Sequence, residues 1–175
     1  VENTGSRRMT GSDYKRVISR ISNWFNSISG FRLSNNSITI FSPLFFPFPF
    51  SKFFLKINKY LLLSSLSKWI KVNNFYNPII ISFLPTPLVQ ESIKKLNPVL
   101  KIFYYADNMS KSSILTKKLE IWENKILKDS DLVVCTSNNL KENSKKFNNS
   151  TMILPAGVNF RKFEISSNQY SKENM

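Results

Sequence analysis

The chain has 175 residues, of which 42% are hydrophobic, and it carries a net charge of +14. This length and composition fit one folded α/β domain and exclude a disordered chain. The absence of histidine excludes histidine bases and histidine metal sites within this sequence, and the single cysteine excludes an intrachain disulfide or a cysteine zinc site.

Residues 1–11 are predicted to be the end of a strand followed by a basic loop. Arg7 and Arg8 in this loop could meet a phosphate at a cleft, or the loop could be an ordinary solvated one. A helix is then predicted from Ser12 to a C-cap at Gly30, because apolar residues recur at helical spacing between them.

Residues 37–42 alternate and are β-branched, which predicts a strand. The segment 43–50 holds three prolines and four phenylalanines, so it cannot form a regular helix or a central strand. Ser51 is predicted to cap a helix that carries lysines on one side and Phe53, Phe54, Ile57, Tyr60 and Leu61 on the other.

This region is typical of a basic amphipathic helix on a membrane surface. The predicted membrane contacts are Phe45, Phe46, Phe48, Phe50, Lys52, Phe53, Lys56 and Lys59. The alternative is a helix that packs on the sheet with its lysines in water. No apolar run reaches ~18 residues, so no membrane span is predicted.

From residue 77 onward, short apolar runs alternate with helix-period segments. Strands are predicted at 77–84, 102–105, 132–135 and 152–154, and helices at 88–96, 113–129 and 137–147. This alternation predicts an α/β fold with a Rossmann-like, three-layer parallel sheet. Ligands of such sheets bind at the carboxyl ends of the strands, where Pro85, Thr86, Asp107, Ser137 and Gly157 are expected.

The order of motifs in residues 101–163 resembles the end of the N-terminal domain of GT-B glycosyltransferases of the GT4-like type. The matching residues are Asp107, Glu123, Asp131, Leu132, Val133, Thr136, Ser137, Leu140, Pro155, Gly157, Val158, Asn159 and Phe163. Asn159 departs from the family, which usually has aspartate there. The resemblance implies one half of a two-domain fold, with an acceptor domain at residues 1–163 and a linker to a missing C-terminal donor domain beginning at 164–175.

The resemblance further implies transfer of a sugar from a nucleotide sugar, bound by the missing domain, to a glycan or lipid-linked acceptor in cell-surface polysaccharide synthesis. No cofactor is expected within this chain, and a cytoplasmic location at the inner membrane face is implied. Asp107 would bind the acceptor or act as the catalytic base, and the other cleft residues would be Arg7, Arg8, Pro85, Thr86, Glu123, Ser137, Gly157 and Asn159. Gly157 would permit tight backbone geometry at the domain crossing.

Simpler interpretations of these residues stay open. Asp107 could cap the next helix, and Ser137 could be an N-cap. Cys135 is predicted to be a small buried hydrophobic residue. The alternative function is a non-catalytic basic α/β domain that binds an anionic membrane surface or nucleic acid, although the dispersed lysines and the lack of a known motif disfavour nucleic acid. The abundance of Lys, Asn, Ile and Ser suggests an AT-rich genome, which could by itself explain the charge.

Overall fold

The computed structural model describes residues 30–34, 38–46, 48, 50–109 and 116–157, together with Ile18. Within these residues, a small antiparallel hairpin precedes a parallel α/β unit. The elements are β1 (Phe31–Leu33), β2 (Thr39–Phe41), α1 (Lys52–Val72), β3 (Ile79–Ser82), α2 (Pro87–Leu96), β4 (Leu100–Tyr105), α3 (Thr116–Asp129), β5 (Leu132–Cys135), α4 (Asn138–Lys145) and β6 (Thr151–Ile153).

Strands β3 to β6 form one sheet in the order in which they follow in the chain. All three neighbouring pairs are parallel, with Ser82 beside Phe103, Tyr105 beside Cys135, and Cys135 beside Ile153. One helix connects each strand to the next. The predicted α/β class, with a Rossmann-like parallel sheet flanked by helices, is therefore confirmed.

The core lies on one face of this sheet. Phe103, Tyr105, Val133 and Cys135 alternate toward that face and are fully buried. Ile126 and Leu127 of α3 complete the cluster, and one residue each from α2 and α4 packs against it. Connections between neighbouring parallel strands are normally right-handed. When the strands follow one another in sequence order, this places all the connecting helices on the same face of the sheet. Cys135 is buried and free, in agreement with its predicted role as a small hydrophobic residue.

The opposite face of the sheet carries exposed apolar side chains near its two outer strands. They are Ile79, Ile81, Phe83, Met152 and Leu154. Parallel sheets are normally covered on both faces, and their strands therefore consist of nearly continuous apolar runs. Strand β3 has such a run although half of its side chains lie at the surface of the described structure.

The strand predicted at 37–42 exists, but it lies outside the parallel sheet. Strand β2 pairs antiparallel with β1, and the hairpin is closed by a hydrogen bond from Ser34 N to Ile38 O (2.8 Å). The ring of Phe31 stacks on Phe41 at 4.1 Å and on Trp69 of α1 at 6.0 Å. Contact with α1 therefore stabilises this two-stranded ribbon, which would be marginal in isolation.

The predicted helix after Ser51 is confirmed as α1, although the capping interaction is not. The Ser51 side chain makes no capping hydrogen bond, and only its carbonyl accepts one, from Leu55 N (2.8 Å). Asn58 provides a longer-range connection instead, since its amide bonds both the N–H and the carbonyl of Phe46, at 2.9 and 3.0 Å. These two bonds hold the proline- and phenylalanine-rich segment against the helix.

Candidate functional site at the carboxyl edge of the sheet

The carboxyl ends of the four parallel strands meet along one edge, as their register requires. Pro85 and Thr86 follow β3, Asp107 follows β4, Ser137 follows β5 and Gly157 follows β6. The structure thus brings the predicted cleft residues that it describes to the same edge of the sheet, with the exception of Glu123, which comes from a helix. Arg7, Arg8 and Asn159 lie outside the described residues.

The ends of β4 and β5 are connected by Thr136. Its N–H donates to the carbonyl of Tyr105 (3.3 Å), and its hydroxyl donates to the carbonyl of Ala106 (3.0 Å). The second bond fixes the peptide immediately before Asp107. The exposed Asp107 therefore lies at the edge beside the end of the neighbouring strand, accessible to a ligand from solvent.

Beneath this edge, three polar side chains from three elements form a chain of hydrogen bonds, in which Tyr105 and Glu123 are buried and Asn143 is half-buried. The hydroxyl of Tyr105 donates to Oε1 of Glu123 at 2.7 Å, and Nδ2 of Asn143 donates to the same hydroxyl at 3.0 Å. Burial raises the pKa of the Tyr105 hydroxyl, and its hydrogen bond to Glu123 raises this pKa further. Tyr105 thus remains a neutral donor that holds the Glu123 carboxylate in position.

This geometry changes the expected role of Glu123. Its side chain is only 2% exposed, so it supports the edge from within the core and does not line an open cleft. The burial of Glu123 could have been predicted from helical periodicity, since Glu123 falls on the α3 face that also carries Leu119 and Ile126. Sequence reasoning missed Tyr105 and Asn143, and the one available signal was a tyrosine at the last position of a buried strand.

Two other predicted cleft residues are helix caps. The Ser137 hydroxyl accepts from Leu140 N (3.4 Å) at the start of α4, and the Thr86 hydroxyl accepts from Val89 N (3.4 Å) at the start of α2. The N-cap alternative therefore describes Ser137, and it extends to Thr86. Thr86 and Pro85 are also buried, which leaves them little surface to offer a ligand.

The expected need for glycine at position 157 is not seen. A Cβ built on Gly157 would have no atom within 4 Å, and Gly30 is the described glycine whose φ is positive, at 87°. Gly157 is exposed just beyond β6. Neither a close approach nor a left-handed backbone therefore requires glycine there.

The predicted membrane segment divides into four groups. Phe46 and Phe48 are exposed at their outer sides while their rings pack on Phe54 at 5.1 and 4.8 Å. Lys52, Phe53 and Lys56 are exposed on α1, whereas Phe45 and Phe50 are partly buried. Lys59 points elsewhere, because its ammonium lies 2.7 Å from Glu91 of α2.

A hollow of about 640 Å³ lies at the amino edge of the sheet, far from Asp107. Lys101 and Asp131 line it and neutralise each other, with Nζ and Oδ1 3.2 Å apart. The hydrogen bond from Lys101 N to Asp131 lowers the pKa of that carboxyl. We assign the candidate site to the carboxyl edge, where parallel sheets bind their ligands.

The described residues contain neither a metal-binding cluster nor a membrane-spanning helix. No group of three or more histidine, cysteine, aspartate or glutamate side chains in this part of the chain could hold a metal ion. No helix in it is long and apolar enough to cross a bilayer.

Comparison with known proteins found no similar family, sequence or structure. No protein-family model, no curated protein and no solved structure matches the chain.

Proposed function

We propose that this chain is the acceptor-binding part of a glycosyltransferase, which moves a sugar from a nucleotide sugar to a hydroxyl of a glycan or lipid-linked acceptor. The observation that carries the proposal is the exposed carboxylate of Asp107 at the carboxyl edge of a Rossmann-like parallel sheet. The order of motifs from residue 101 to 163 supports it, since that order resembles GT-B acceptor domains.

The chemistry needs few groups from this half of the enzyme. The acceptor oxygen forms a bond to the anomeric carbon while the bond from that carbon to the donor phosphate breaks, and the hydroxyl proton passes to a base. A carboxylate at the edge can accept a hydrogen bond from the acceptor hydroxyl and can take this proton in an inverting reaction. The nucleotide sugar belongs to the second domain, since both substrates must be held together between the two halves.

Acceptor binding to this chain tests the proposal directly. Ligand-observed NMR against mono- and oligosaccharides should detect binding that D107N weakens and D129N does not. Asp129 is the matched control, because it is an exposed aspartate that precedes β5 at the amino edge. Calorimetry should find no nucleotide-sugar binding to this chain.

In a protein that carries both domains, D107N should lower turnover by roughly 10²–10⁴ if Asp107 is the base.

Two results would contradict the assignment. Micromolar binding of a nucleotide sugar to this chain would identify it as the donor half of the enzyme. Acceptor binding that D107N leaves unchanged would place the acceptor away from this edge.

A second function is favoured by the surface of α1. Phe53 and Tyr60 are 67% and 73% exposed, and the exposed Lys56 lies between them at helical spacing. The lysines and the exposed aromatic residues therefore share one face of α1, and the prediction that they lie on opposite sides is wrong for Phe53 and Tyr60. Such a mixed face fits a peripheral contact with an anionic membrane. Such a contact would keep a lipid-linked acceptor close to the enzyme, and binding to anionic vesicles tests it.

A further inference from the structure

A groove lies between the β1–β2 hairpin and the last two turns of α1. Its volume is about 510 Å³, within the range of ~300–1,000 Å³ that is usual for small-molecule sites. Its lining residues include Phe31, Arg32, Leu33, Lys68, Trp69 and Val72. None of them belongs to the carboxyl edge or to the predicted membrane contact.

The groove faces a different direction from the exposed aromatic residues of α1. Ser65, Lys68, Trp69 and Val72 lie at spacings of three and four residues, so they share one face of the helix. Ser65 follows Tyr60 by five positions, which places it roughly 140° around the helix axis. The groove is therefore distinct from the surface that carries Phe53 and Tyr60.

Most of the groove surface is apolar and open to water. Leu33 and Val72 are 73% and 80% exposed, although both are large aliphatic side chains. The rings of Phe31 and Trp69 lie parallel, with an interplanar angle of 7°, and form a flat wall beside them. A flexible hydrocarbon chain placed here would remove apolar surface from water on both partners.

The charged residues of the groove have one sign. Arg32 and Lys68 line it, no carboxylate does, and neither residue forms an ion pair within the described part of the chain. The surrounding sequence has the same bias, since residues 14–90 contain nine lysines and arginines and no aspartate or glutamate. A ligand of the groove should therefore carry negative charge at the end that meets these two residues.

We propose that this groove binds a single-chain anionic amphiphile of the fatty-acid or alkyl-phosphate class. The alkyl chain lies along Phe31, Leu33, Trp69 and Val72, and the headgroup is bound by Arg32 and Lys68. A sugar would leave the apolar walls unused, and a neutral hydrocarbon would leave the two cations unused. The site does not depend on the proposed acceptor function, because it shares no residue with the carboxyl edge.

Trp69 provides a direct optical measurement of occupancy. Octyl, decyl and dodecyl phosphate, each kept below its micelle concentration, are titrated into the full chain while tryptophan emission is followed. We expect a blue shift that is absent in W69F, and a dissociation constant that falls roughly tenfold for every two added methylenes. R32Q/K68Q should weaken binding about tenfold or more, whereas the control K94Q/K95Q on the exposed side of α2 should not.

The outcome can be read even if a variant is destabilised. Val72 is so exposed that V72Q should leave the far-ultraviolet circular dichroism unchanged, yet it should weaken decyl phosphate binding several-fold. Equal binding of decyltrimethylammonium would overturn the proposal, as would affinity independent of chain length. Binding to anionic vesicles without binding to the monomeric amphiphiles would also overturn it, since the surface would then be a membrane contact.

Discussion

At the end of β4, the hydroxyl of one tyrosine connects a strand with two helices. Tyr105 bonds Glu123 of α3 and Asn143 of α4; Tyr105 and Glu123 are buried, and Asn143 is half-buried. Buried polar groups are costly when they lose a partner, because the protein offers no water to replace it. The position of the carboxyl edge thus depends on an internal hydrogen-bond chain rather than on the exposed residues alone.

Removing this hydroxyl should destabilise the fold. Y105F leaves the Glu123 carboxylate without its tyrosine donor and Asn143 Nδ2 without its acceptor, so we expect the free energy of unfolding to fall by about 1–3 kcal/mol. Urea unfolding followed by circular dichroism measures it. The control is Y104F, one position earlier on the partly exposed face of the same strand, which should cost less than about 0.5 kcal/mol. Equal losses in the two variants would show that the buried chain contributes no net stability.

The sequence predicts the place of a site residue when nearby residues determine that place, and fails when a distant contact determines it. Asp107 and Ser137 follow from the ends of apolar runs, because parallel strands must finish at a common edge. The partner of Tyr105 is 18 positions away in the sequence, and its identity depends on how α3 packs on the sheet. The hydroxyls of Thr86 and Ser137 could serve a ligand or a helix, and only the structure shows that they bond backbone N–H groups.

At the scale of elements, the second half of the chain follows its sequence closely. The helix predicted at 88–96 is Pro87–Leu96, and the strand predicted at 132–135 is Leu132–Cys135, because proline, asparagine and serine mark their ends. Strand β1 escaped prediction because it has only three residues and no alternating pattern of its own. Its Phe31 ring stacks on Phe41 of the paired strand and on Trp69, and Trp69 is distant in sequence.

One contact between elements gives a prediction with a definite pH dependence. The hydrogen bond from Lys59 of α1 lowers the pKa of Glu91 of α2 below its ordinary value of 4.5. A lowered carboxyl pKa stabilises the folded state above the unfolded pKa, and this contribution is lost as pH falls through the folded value. K59Q should therefore cost about 0.5 kcal/mol of unfolding free energy at neutral pH, because the pair is partly exposed.

The same cost should disappear well below pH 4.5, where Glu91 is protonated. Urea unfolding of the wild type and K59Q at both pH values measures the difference. K56Q is the control, since Lys56 is exposed and forms no ion pair among the described residues. A K59Q effect that is the same at both pH values would mean that lost packing of the lysine stem, and not the charge, is responsible.

For the whole molecule, charge is distributed unevenly along the chain. Residues 14–90 contain no acidic residue, whereas nine of the eleven acidic residues follow position 90. Helix α1 and the hairpin belong to the uniformly basic stretch, and the carboxyl edge with Asp107 belongs mostly to the mixed one. By charge complementarity, we expect a negatively charged partner for the first part.

Anionic vesicles should accordingly bind the basic part. Phe53 and Tyr60 would enter the interface, and Lys52 and Lys56 would approach lipid phosphates, each contributing about 1 kcal/mol. K52Q/K56Q should therefore reduce the partition coefficient by roughly 10- to 30-fold in flotation with phosphatidylserine vesicles. The control K117Q/K118Q removes two exposed lysines from α3 and should leave partitioning nearly unchanged.

Lys59 is omitted from the variant because it is paired with Glu91. Raised salt should lower the partition coefficient of the wild type until it approaches that of K52Q/K56Q, since salt screens exposed charges. Equal recovery on neutral vesicles would instead show that the exposed aromatic side chains suffice and that the basic charge has another purpose.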